Sequence, residues 1–387
     1  MKTISLIGVG GFGHVHVDNI FRLARLGRVE LSALISPEGI DPLLHTVTPE
    51  VLAWARTVPF YPTFDEYLSD AEPATIVVVC SPIDTHAALA SQALQAGCHV
   101  LLEKPPTTGL NEFEALAATA EAAGRIVQVG FQSFGSAALP RLAKLISSGA
   151  LGRIEDVGGV GVWSRPQTYW TRSYWAGKRS IDGRSVVDGV VTNALAHAVA
   201  TALKLAGATM AADIDAVTLD QYHVNAIECD DTSAVRIITT GGLPVTLGLT
   251  LAAPADAEPL VFVRGARGSA TLYYTTDTIA LDVGGEHSVA GIERFGRTDL
   301  TENLLDHLAD PTVPLLCPLA DTGAFMRVLD TVQAAQNPRA IPPDFVHHIN
   351  RDGMKWLTID QVGQWCERVA DAQATFAELG APWAGSH

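Results

Sequence analysis

The sequence predicts an α/β domain built on a doubly wound parallel sheet, followed by an α+β domain with an open, mostly antiparallel sheet. Three observations lead to this fold class. Over residues 1–130 short β-branched runs alternate with Ala-rich segments of helical periodicity, and a glycine-rich turn follows the first run. After residue 131, strand-like runs are separated by Gly, Pro and Asp turns.

The length of the chain also requires more than one hydrophobic core. At 387 residues we expect two domains. The first covers residues 1–130 and the second residues 131–387, with C-terminal helices that could pack back on the first domain.

Within the first domain, strands and helices alternate. The predicted strands cover residues 3–8, 30–36, 75–80, 99–102 and 125–130, and the clearest helices cover 86–96 and 111–123. Parallel strands in this order bring their carboxyl ends to one edge of the sheet, where ligands bind in such folds.

The second domain begins with a helix and continues into a sheet. The predicted elements are a helix at 139–148, strands at 234–239, 245–251, 260–265 and 269–274, a linker at 311–318, and helices at 321–335 and 359–379. One face of an open sheet often serves as a subunit interface, so we expect a homodimer or homotetramer formed through this sheet.

Composition excludes several classes of protein. Hydrophobic residues make up 48% and charged residues 18%, which is typical of a globular enzyme, and the net charge of −16 repels nucleic acid and anionic membranes. The five cysteines occur singly and form no metal-binding pair, which favours reduced thiols in the cytoplasm and no zinc site. No signal peptide or membrane span is expected, and the favoured partner is a small molecule.

The glycine-rich turn reads Gly8-Val9-Gly10-Gly11-Phe12-Gly13. Gly8 allows a sharp turn from strand to helix, Gly10 lets the backbone approach a pyrophosphate, and Gly13 lets helix and strand pack closely. Because a strand precedes the motif and a periodic helix follows it, the turn predicts a dinucleotide site, to which Gly11 and Phe12 also belong.

A second informative segment closes the strand at 99–102. It reads Glu103-Lys104-Pro105, which puts an ammonium group at the carboxyl end of a strand. The neighbouring strand ends in Cys80-Ser81-Pro82 and leads to His86. Both ends belong to the edge where a ligand is expected.

These segments, with the block at 96–105 and the turn at 264–271, are similar to the glucose-fructose oxidoreductase and inositol dehydrogenase (Gfo/Idh/MocA) family over most of the chain. The resemblance implies a Rossmann domain and an NAD(P)-dependent oxidoreductase acting on a secondary alcohol or ketone of a sugar, sugar derivative or cyclitol. The cofactor-binding residues that it implies are Gly8, Gly10, Gly11, Phe12, Gly13, Ser36, Glu38, Cys80, Ser81, Pro82, His86, Glu103 and Lys104.

The resemblance also implies catalytic residues. Lys104 would stabilise a developing alkoxide and relay its proton. A family motif with a carboxylate four residues before a histidine fits best with His197 as the histidine, which puts Asn193 at the carboxylate position. An asparagine supports a charged imidazole less well than an aspartate, so Lys104 would be the main acid/base, with Asn193 and His197 binding substrate hydroxyls. A core histidine remains the alternative for His197.

Cofactor preference depends on the end of the second strand. The family has an acidic residue there to hold the adenosine ribose, whereas this chain has Ser36-Pro37-Glu38. The sequence leaves NAD and NADP both open, and Glu38 favours NAD slightly.

An aromatic and basic segment at residues 163–184 could line a carbohydrate pocket, because rings stack on sugars and cations bind hydroxyls. The alternative is that its rings pack this loop onto the domain. The predicted substrate-binding residues are Lys104, Gln132, Trp163, Arg165, Tyr174, Trp175, Asn193 and His197. His347-His348 is interpreted as a solvated loop, and no metal site is expected.

Two other functions remain open. One is redox-neutral glycoside cleavage or epimerisation with tightly bound NAD. The other is a non-catalytic cofactor-binding sensor, a hypothesis that rests on Asn193 at the position of the family carboxylate.

Overall fold

A computed structural model describes residues 1–186, 188–284 and 289–385. The chain divides into two compact units. The first comprises Met1–Gly130 with Leu300–Leu319, and the second comprises Phe131–Asp299 with Ala320–His387. In the part of the chain that is described, no helix is long and apolar enough to cross a membrane.

The helices of both units follow in chain order. They are α1 (Gly13–Arg25), α2 (Pro49–Ala55), α3 (Phe64–Asp70), α4 (His86–Gln95), α5 (Leu110–Ala123), α6 (Ala138–Ser147), α7 (Ala196–Leu205), α8 (Leu300–Ala309), α9 (Gly323–Ala334) and α10 (Val362–Ala372). A π-helical turn, Val190–Ala194, leads into α7.

The first unit contains a six-stranded parallel sheet with the order β3-β2-β1-β4-β5-β6. Its strands are β1 (Lys2–Ile7), β2 (Val29–Ile35), β3 (Phe60–Tyr61), β4 (Ile76–Val79), β5 (His99–Leu102) and β6 (Val127–Val129). Every residue of β4 is buried, as expected for a strand covered on both faces. The strand order reverses between β1 and β4, and the glycine turn begins at this point. This architecture confirms the predicted doubly wound sheet.

The second unit contains a nine-stranded, mostly antiparallel sheet with the order β16-β15-β14-β13-β7-β12-β11-β10-β17. The remaining strands are β7 (Ile154–Val162), β8 (Ser180–Ile181), β9 (Arg184–Ser185), β10 (Ile214–His223), β11 (Thr232–Thr239), β12 (Pro244–Thr250), β13 (Leu260–Gly265), β14 (Gly268–Tyr273), β15 (Thr278–Val283), β16 (Val289–Arg294), β17 (Arg339–Ala340), β18 (Val346–Arg351) and β19 (Met354–Ile359). β7 pairs in parallel with β12, and β10 with β17. The predicted second fold class is therefore confirmed.

Strand β7 lies at the centre of this sheet, although the sequence did not indicate it. Its glycines are atypical of a strand interior. The structure explains them by close packing: a Cβ atom at Gly158 would lie 2.1 Å from the Phe262 ring, and one at Gly161 would lie 2.5 Å from Leu195.

Helices α7 and α10 cover opposite faces of these central strands. Gly161 faces Leu195 just before α7, whereas Gly248 of β12 faces the backbone of Cys366 in α10, where a Cβ atom would lie 2.3 Å from the carbonyl oxygen. Gly248 pairs with Val160, the neighbour of Gly161, and successive residues of a strand point to opposite faces. The chain's own helices therefore cover both faces of the sheet at its centre, and the homodimer or homotetramer through this sheet stays a prediction.

The C-terminal region differs from its predicted single helix at 359–379. Strand β19 continues through Ile359, and α10 occupies only Val362–Ala372. Gln361 and Gln373 both have positive φ angles, +55° and +54°, which begin and end the helix. His347 and His348 are exposed as expected, but they lie in strand β18 and not in a loop.

Candidate functional site

The glycine turn of the first unit leaves no room for side chains at two positions. Gly8 has a φ of +88°, and a Cβ atom there would lie 2.2 Å from the carbonyl oxygen of Cys80. A Cβ atom at Gly13 would lie 2.2 Å from the carbonyl oxygen of Gly8. Both glycines therefore let β1, β4 and α1 approach at backbone distance, as the motif predicts.

Gly11 differs from these two glycines because it faces open space. Its φ is +52°, and an added Cβ atom would have no described atom within 4 Å. No side chain in the described ranges caps the start of α1, and the first turn of the helix contains no acidic residue. Amide groups at a helix start, uncapped and next to open space, fit the phosphates of a dinucleotide.

Ser36 and Glu38 follow strand β2, on the side of the glycine turn. Ser36 is buried, and its hydroxyl accepts a hydrogen bond from the Glu38 amide at 3.4 Å. A Cβ atom at Gly10 would lie 3.4 Å from Oε2 of Glu38, so this carboxylate lies beside the turn. The turn, its open helix start and an adjacent carboxylate together fit a dinucleotide with a ribose 2′-hydroxyl.

Glu103 and Lys104 follow the carboxyl end of β5. Oε1 of Glu103 lies 2.9 Å from Nε2 of His16 in α1, and Oε2 accepts a hydrogen bond from the Lys104 amide at 3.2 Å. Burial by itself raises the pKa of Glu103, but the His16 hydrogen bond and the charges of His16 and Lys104 outweigh it and lower the pKa. The strand end therefore carries a carboxylate beside the half-buried Lys104.

Gly130 makes room for Glu103, a role that the sequence analysis missed. A Cβ atom at Gly130 would lie 2.7 Å from Oε1 of Glu103. The signal for it was present, since a glycine ends the predicted strand next to β5, but its contact with Glu103 depends on the pairing of β5 and β6.

His86 connects two loops at the same edge of the sheet. Nδ1 lies 2.8 Å from the carbonyl oxygen of Pro105, and Nε2 lies 2.9 Å from that of Ser81. Burial lowers the pKa of His86, although the two carbonyl contacts act in the opposite direction. Because both ring nitrogens contact the main chain, His86 holds the backbone that follows Lys104.

In the second unit, the Asp188 carboxylate accepts several hydrogen bonds. Arg172 donates to both carboxylate oxygens at 2.9 and 2.8 Å, and the Gly177 amide donates at 2.8 Å. Asn193 donates from Nδ2 to Oδ1 at 2.5 Å. Asp188 is 3% exposed, so this carboxylate is buried and paired.

This arrangement accounts for an amide, and not a carboxylate, at position 193. An ionised Asp188 can only accept hydrogen bonds, so the group facing it at 2.5 Å has to be a donor. An aspartate at position 193 would place two carboxylates in contact, and one of them would have to bind a proton. The amide nitrogen of Asn193 thus faces Asp188.

His197 lies in the first turn of α7. Its Nδ1 is 3.3 Å from Oγ of Ser133, and its ring meets Phe131 edge to face with centroids 5.6 Å apart. Gln132 lies between these two partners in a short helical turn, Gln132–Gly135. Of the predicted substrate-binding residues, Gln132, Asn193 and His197 therefore belong to the same unit. Gln132 adjoins both contact partners of His197 in sequence, and Asn193 lies four residues before His197.

Asp230 and Asp231, which lie between β10 and β11, are both buried. The main chain of Asp230 accepts from the Val190 amide at 2.9 Å, and its side chain accepts from Ser233 at 2.7 Å. Asp231 accepts from the backbone and side chain of Asn225. Burial raises the pKa of both carboxyl groups by more than the hydrogen bonds from Ser233 and Asn225 lower it.

The aromatic and basic segment contains several contacts between its own side chains. The Arg172 guanidinium lies 3.9 Å from the ring centroid of Tyr169 and 4.7 Å from that of Trp175. Arg165 lies 4.7 Å from the ring centroid of Trp163. These contacts, with the buried Trp170, support the packing alternative for most of the rings.

Tyr174 differs from the other rings of this segment, because it is 64% exposed.

In the described residues no group of three or more His, Cys, Asp or Glu side chains could hold a metal ion.

Two family models match the chain. Residues 2–131 match the oxidoreductase family with an NAD-binding Rossmann fold, and residues 140–271 match the GFO/IDH/MocA C-terminal domain.

Similar proteins include sugar and inositol dehydrogenases. UDP-N-acetylglucosamine 3-dehydrogenase of Acidithiobacillus ferrooxidans is 31% identical over 34% of this chain and 36% of its own length. Inositol 2-dehydrogenase of Rhodococcus erythropolis is 35% identical over 39% of this chain and 41% of its own length. The chain thus spans less than half the length of these two relatives.

A solved structure extends the likeness in fold to most of the chain. The WlbA dehydrogenase of Bordetella pertussis, solved with NADH and UDP-GlcNAcA, has a TM-score of 0.66 at 21% identity. The match covers 85% of this chain and 94% of that one.

Proposed function

The chain belongs to the GFO/IDH/MocA family of NAD-binding oxidoreductases, and on that premise we propose that it oxidises a secondary alcohol, or reduces the ketone, of a sugar, sugar derivative or cyclitol. The observation that carries the proposal is the carboxyl edge of the first unit's sheet. There the glycine turn with its uncapped helix start and the Glu103-Lys104 strand end belong to one unit.

Lys104 is the proposed proton-transfer residue. Bound NAD supplies the hydride acceptor at the nicotinamide ring. An ammonium beside the substrate hydroxyl stabilises negative charge on its oxygen and takes part in moving its proton. Glu103 and the backbone held by His86 fix the position from which the Lys104 side chain extends. These contacts give the strand end the rigidity that proton transfer requires.

Asn193 and His197 are the proposed groups for substrate hydroxyls in the second unit. Asp188 fixes the Asn193 amide through its nitrogen, and an amide oxygen is a hydrogen-bond acceptor by its chemistry. Neither residue brings a fixed negative charge. We therefore assign the proton transfer to Lys104 and substrate orientation to these two residues. Gln132, Trp163, Arg165, Tyr174 and Trp175 remain proposed substrate-binding residues.

NAD is the proposed cofactor in preference to NADP. The Glu38 carboxylate lies beside Gly10, where it would accept a hydrogen bond from a ribose 2′-hydroxyl and repel a 2′-phosphate. This preference predicts tighter binding of NAD than of NADP, and a Glu38→Gln variant should narrow the difference.

The test is a turnover assay with NAD and NADP against sugars, nucleotide sugars, glycosides and inositols, following the absorbance of the reduced nicotinamide. We expect one substrate class to give a signal that Lys104→Ala abolishes while NAD binding persists. The matched control is Lys355→Ala, which removes an exposed lysine of β19 and should leave turnover unchanged.

The other outcomes discriminate between functions. Full turnover by Lys104→Ala would contradict the role of this lysine. Cofactor that survives desalting, with glycoside consumed and no net absorbance change, would show redox-neutral chemistry. NAD binding with no reaction on any compound would favour a sensor.

A further inference from the structure

Two buried hydroxyl groups lie next to His197 in the second unit. Ser133 is 1% exposed and Thr201 is completely buried. Oγ1 of Thr201 lies 3.0 Å from Oγ of Ser133, and Oγ of Ser133 lies 3.3 Å from Nδ1 of His197. The three side chains form a continuous chain of contacts within the second unit.

The geometry determines which of the two hydroxyl groups donates and which accepts. In the contact between the two hydroxyls, Thr201 is the donor and Ser133 the acceptor. The Ser133 hydroxyl proton then needs another acceptor, because a buried hydroxyl left unpaired is unfavourable. Among the described residues, Nδ1 of His197 is the other hydrogen-bond partner of Ser133 Oγ.

We propose that the hydrogen bonds from Thr201 to Ser133 and from Ser133 to His197 set the tautomer of the uncharged His197 ring, with its proton on Nε2. Ser133 donates to Nδ1, so Nδ1 is an acceptor and Nε2 carries the hydrogen. Ser133 and Thr201 are then positioning residues that act through His197.

The tautomer defines what His197 offers to a ligand. An Nε2–H group donates a hydrogen bond to an oxygen, such as a carbonyl or hydroxyl oxygen of a substrate, and does not accept its proton. This assignment deepens the proposed function, on which the substrate role of His197 depends, and leaves proton transfer to Lys104. Asn193, which cannot ionise, is consistent with a neutral imidazole one turn along the helix.

The experiment reads the tautomer directly, without substrate or cofactor. The full-length protein is labelled with ¹⁵N-histidine, and long-range ¹H–¹⁵N correlation spectra are recorded at about pH 8, where an ordinary imidazole is neutral. The chain has 12 histidines, so the signals of His197 are assigned by their loss in His197→Gln. We expect the pattern of an Nε2–H tautomer.

Substitutions at Thr201 and Ser133, with one control, test the origin of that tautomer. Thr201→Val removes the donor to Ser133 and should shift the His197 nitrogens towards a mixture of tautomers, whereas Thr201→Ser should restore the wild-type pattern. The matched control is Thr246→Val, because Thr246 is equally buried and its hydroxyl has no hydrogen bond within the described chain. If Thr201→Val does not fold, Ser133→Ala serves as the second test and should give the same shift.

Two results would overturn the inference: an Nδ1–H pattern in the wild-type protein, or a wild-type pattern retained in both Thr201→Val and Ser133→Ala. The outcome is independent of the turnover assay. An inactive substrate panel would contradict the proposed function while the tautomer assignment stands, and an active enzyme with an Nδ1–H imidazole would contradict the inference alone.

Discussion

Helix α1 of the first unit begins at a glycine and the π-helical turn before α7 of the second unit follows one, yet different groups surround their first amides. No described side chain caps α1, and its first turn contains no acid. The turn before α7 begins beside two buried acids: the Asp230 carboxylate accepts a hydrogen bond from the Val191 amide at 3.4 Å, and Asp188 accepts one from the Asn193 side chain. A helix start favours negative charge, so an anionic ligand fits α1, whereas the protein's own carboxylates occupy the start before α7.

The difference indicates how the two helix starts would be used. The first is suited to the phosphates of a dinucleotide. At the second, the Asp188 carboxylate is already paired with Arg172. The following substitutions change the two helix starts in turn.

The largest effect is expected from Gly13→Ala. The added methyl group would lie 2.2 Å from the Gly8 carbonyl oxygen, which forces the backbone of the turn to move. We expect a loss of about 3 kcal/mol or more in the free energy of unfolding and no measurable NAD binding. Thermal unfolding and a fluorescence titration with NAD measure the two effects.

Gly11→Ala is the matched control for Gly13→Ala. Its methyl group meets open space, and only the left-handed φ is unfavourable, so the cost should be about 1 kcal/mol. Equal losses in the two variants would contradict the close-packing explanation of Gly13.

The next effect is expected from Asp188→Ala in the second unit. This change removes the acceptor of Arg172, Gly177 and Asn193 together and leaves the Arg172 charge without its buried partner. Because Arg172 is partly exposed, we expect a loss of about 2 to 4 kcal/mol in the free energy of unfolding, measured by urea denaturation. Asp215→Ala, at an exposed position of β10, should change stability by less than about 0.5 kcal/mol. Similar values for both variants would disprove the role of Asp188.

The first helix start was easier to predict from sequence than the second, for a physical reason. The glycine turn, its strand and its helix are local in sequence, and β5 was predicted with the bounds that it has. The partners of Asn193 and His197 lie elsewhere: Arg172 is 16 residues from Asp188, and Ser133 is 64 residues from His197. These contacts depend on tertiary packing, which periodicity does not encode.

Strand β7 was missed for a related reason. Its three glycines reduce the local strand signal, and their purpose appears only when Phe262, Leu195 and neighbouring strands pack against them. The departure at Asn193 was visible in the sequence, but its explanation required the position of Asp188.

Asn193→Asp tests that explanation with a smaller, pH-dependent effect. The new carboxyl group would face Asp188, so its pKa in the folded state should be raised. A raised pKa favours the folded state while the group is protonated, so stability relative to wild type is lost as the pH rises above about 4 and levels off above the folded-state pKa. We expect a deficit of about 1 to 2 kcal/mol at pH 8 and a smaller one at pH 4.5. A deficit that does not change with pH would argue against two facing carboxylates.

Glu103→Gln gives the smallest expected effect and tests the charge at the first unit's strand end. Burial raises the pKa of Glu103, but His16 and Lys104 lower it further than burial raises it. A carboxyl group whose pKa is lower when folded stabilises the protein above its unfolded pKa of about 4.3, and that contribution disappears as the pH falls through the folded value. The melting temperature of Glu103→Gln should therefore lie below that of wild type at pH 6 and approach it as the pH falls below about 4.

Glu114→Gln, an exposed substitution on α5, should follow wild type throughout. A Glu103→Gln deficit that stays constant from pH 6 to the acid limit would mean that packing, and not the ionised carboxylate held by His16, accounts for the contribution of this residue.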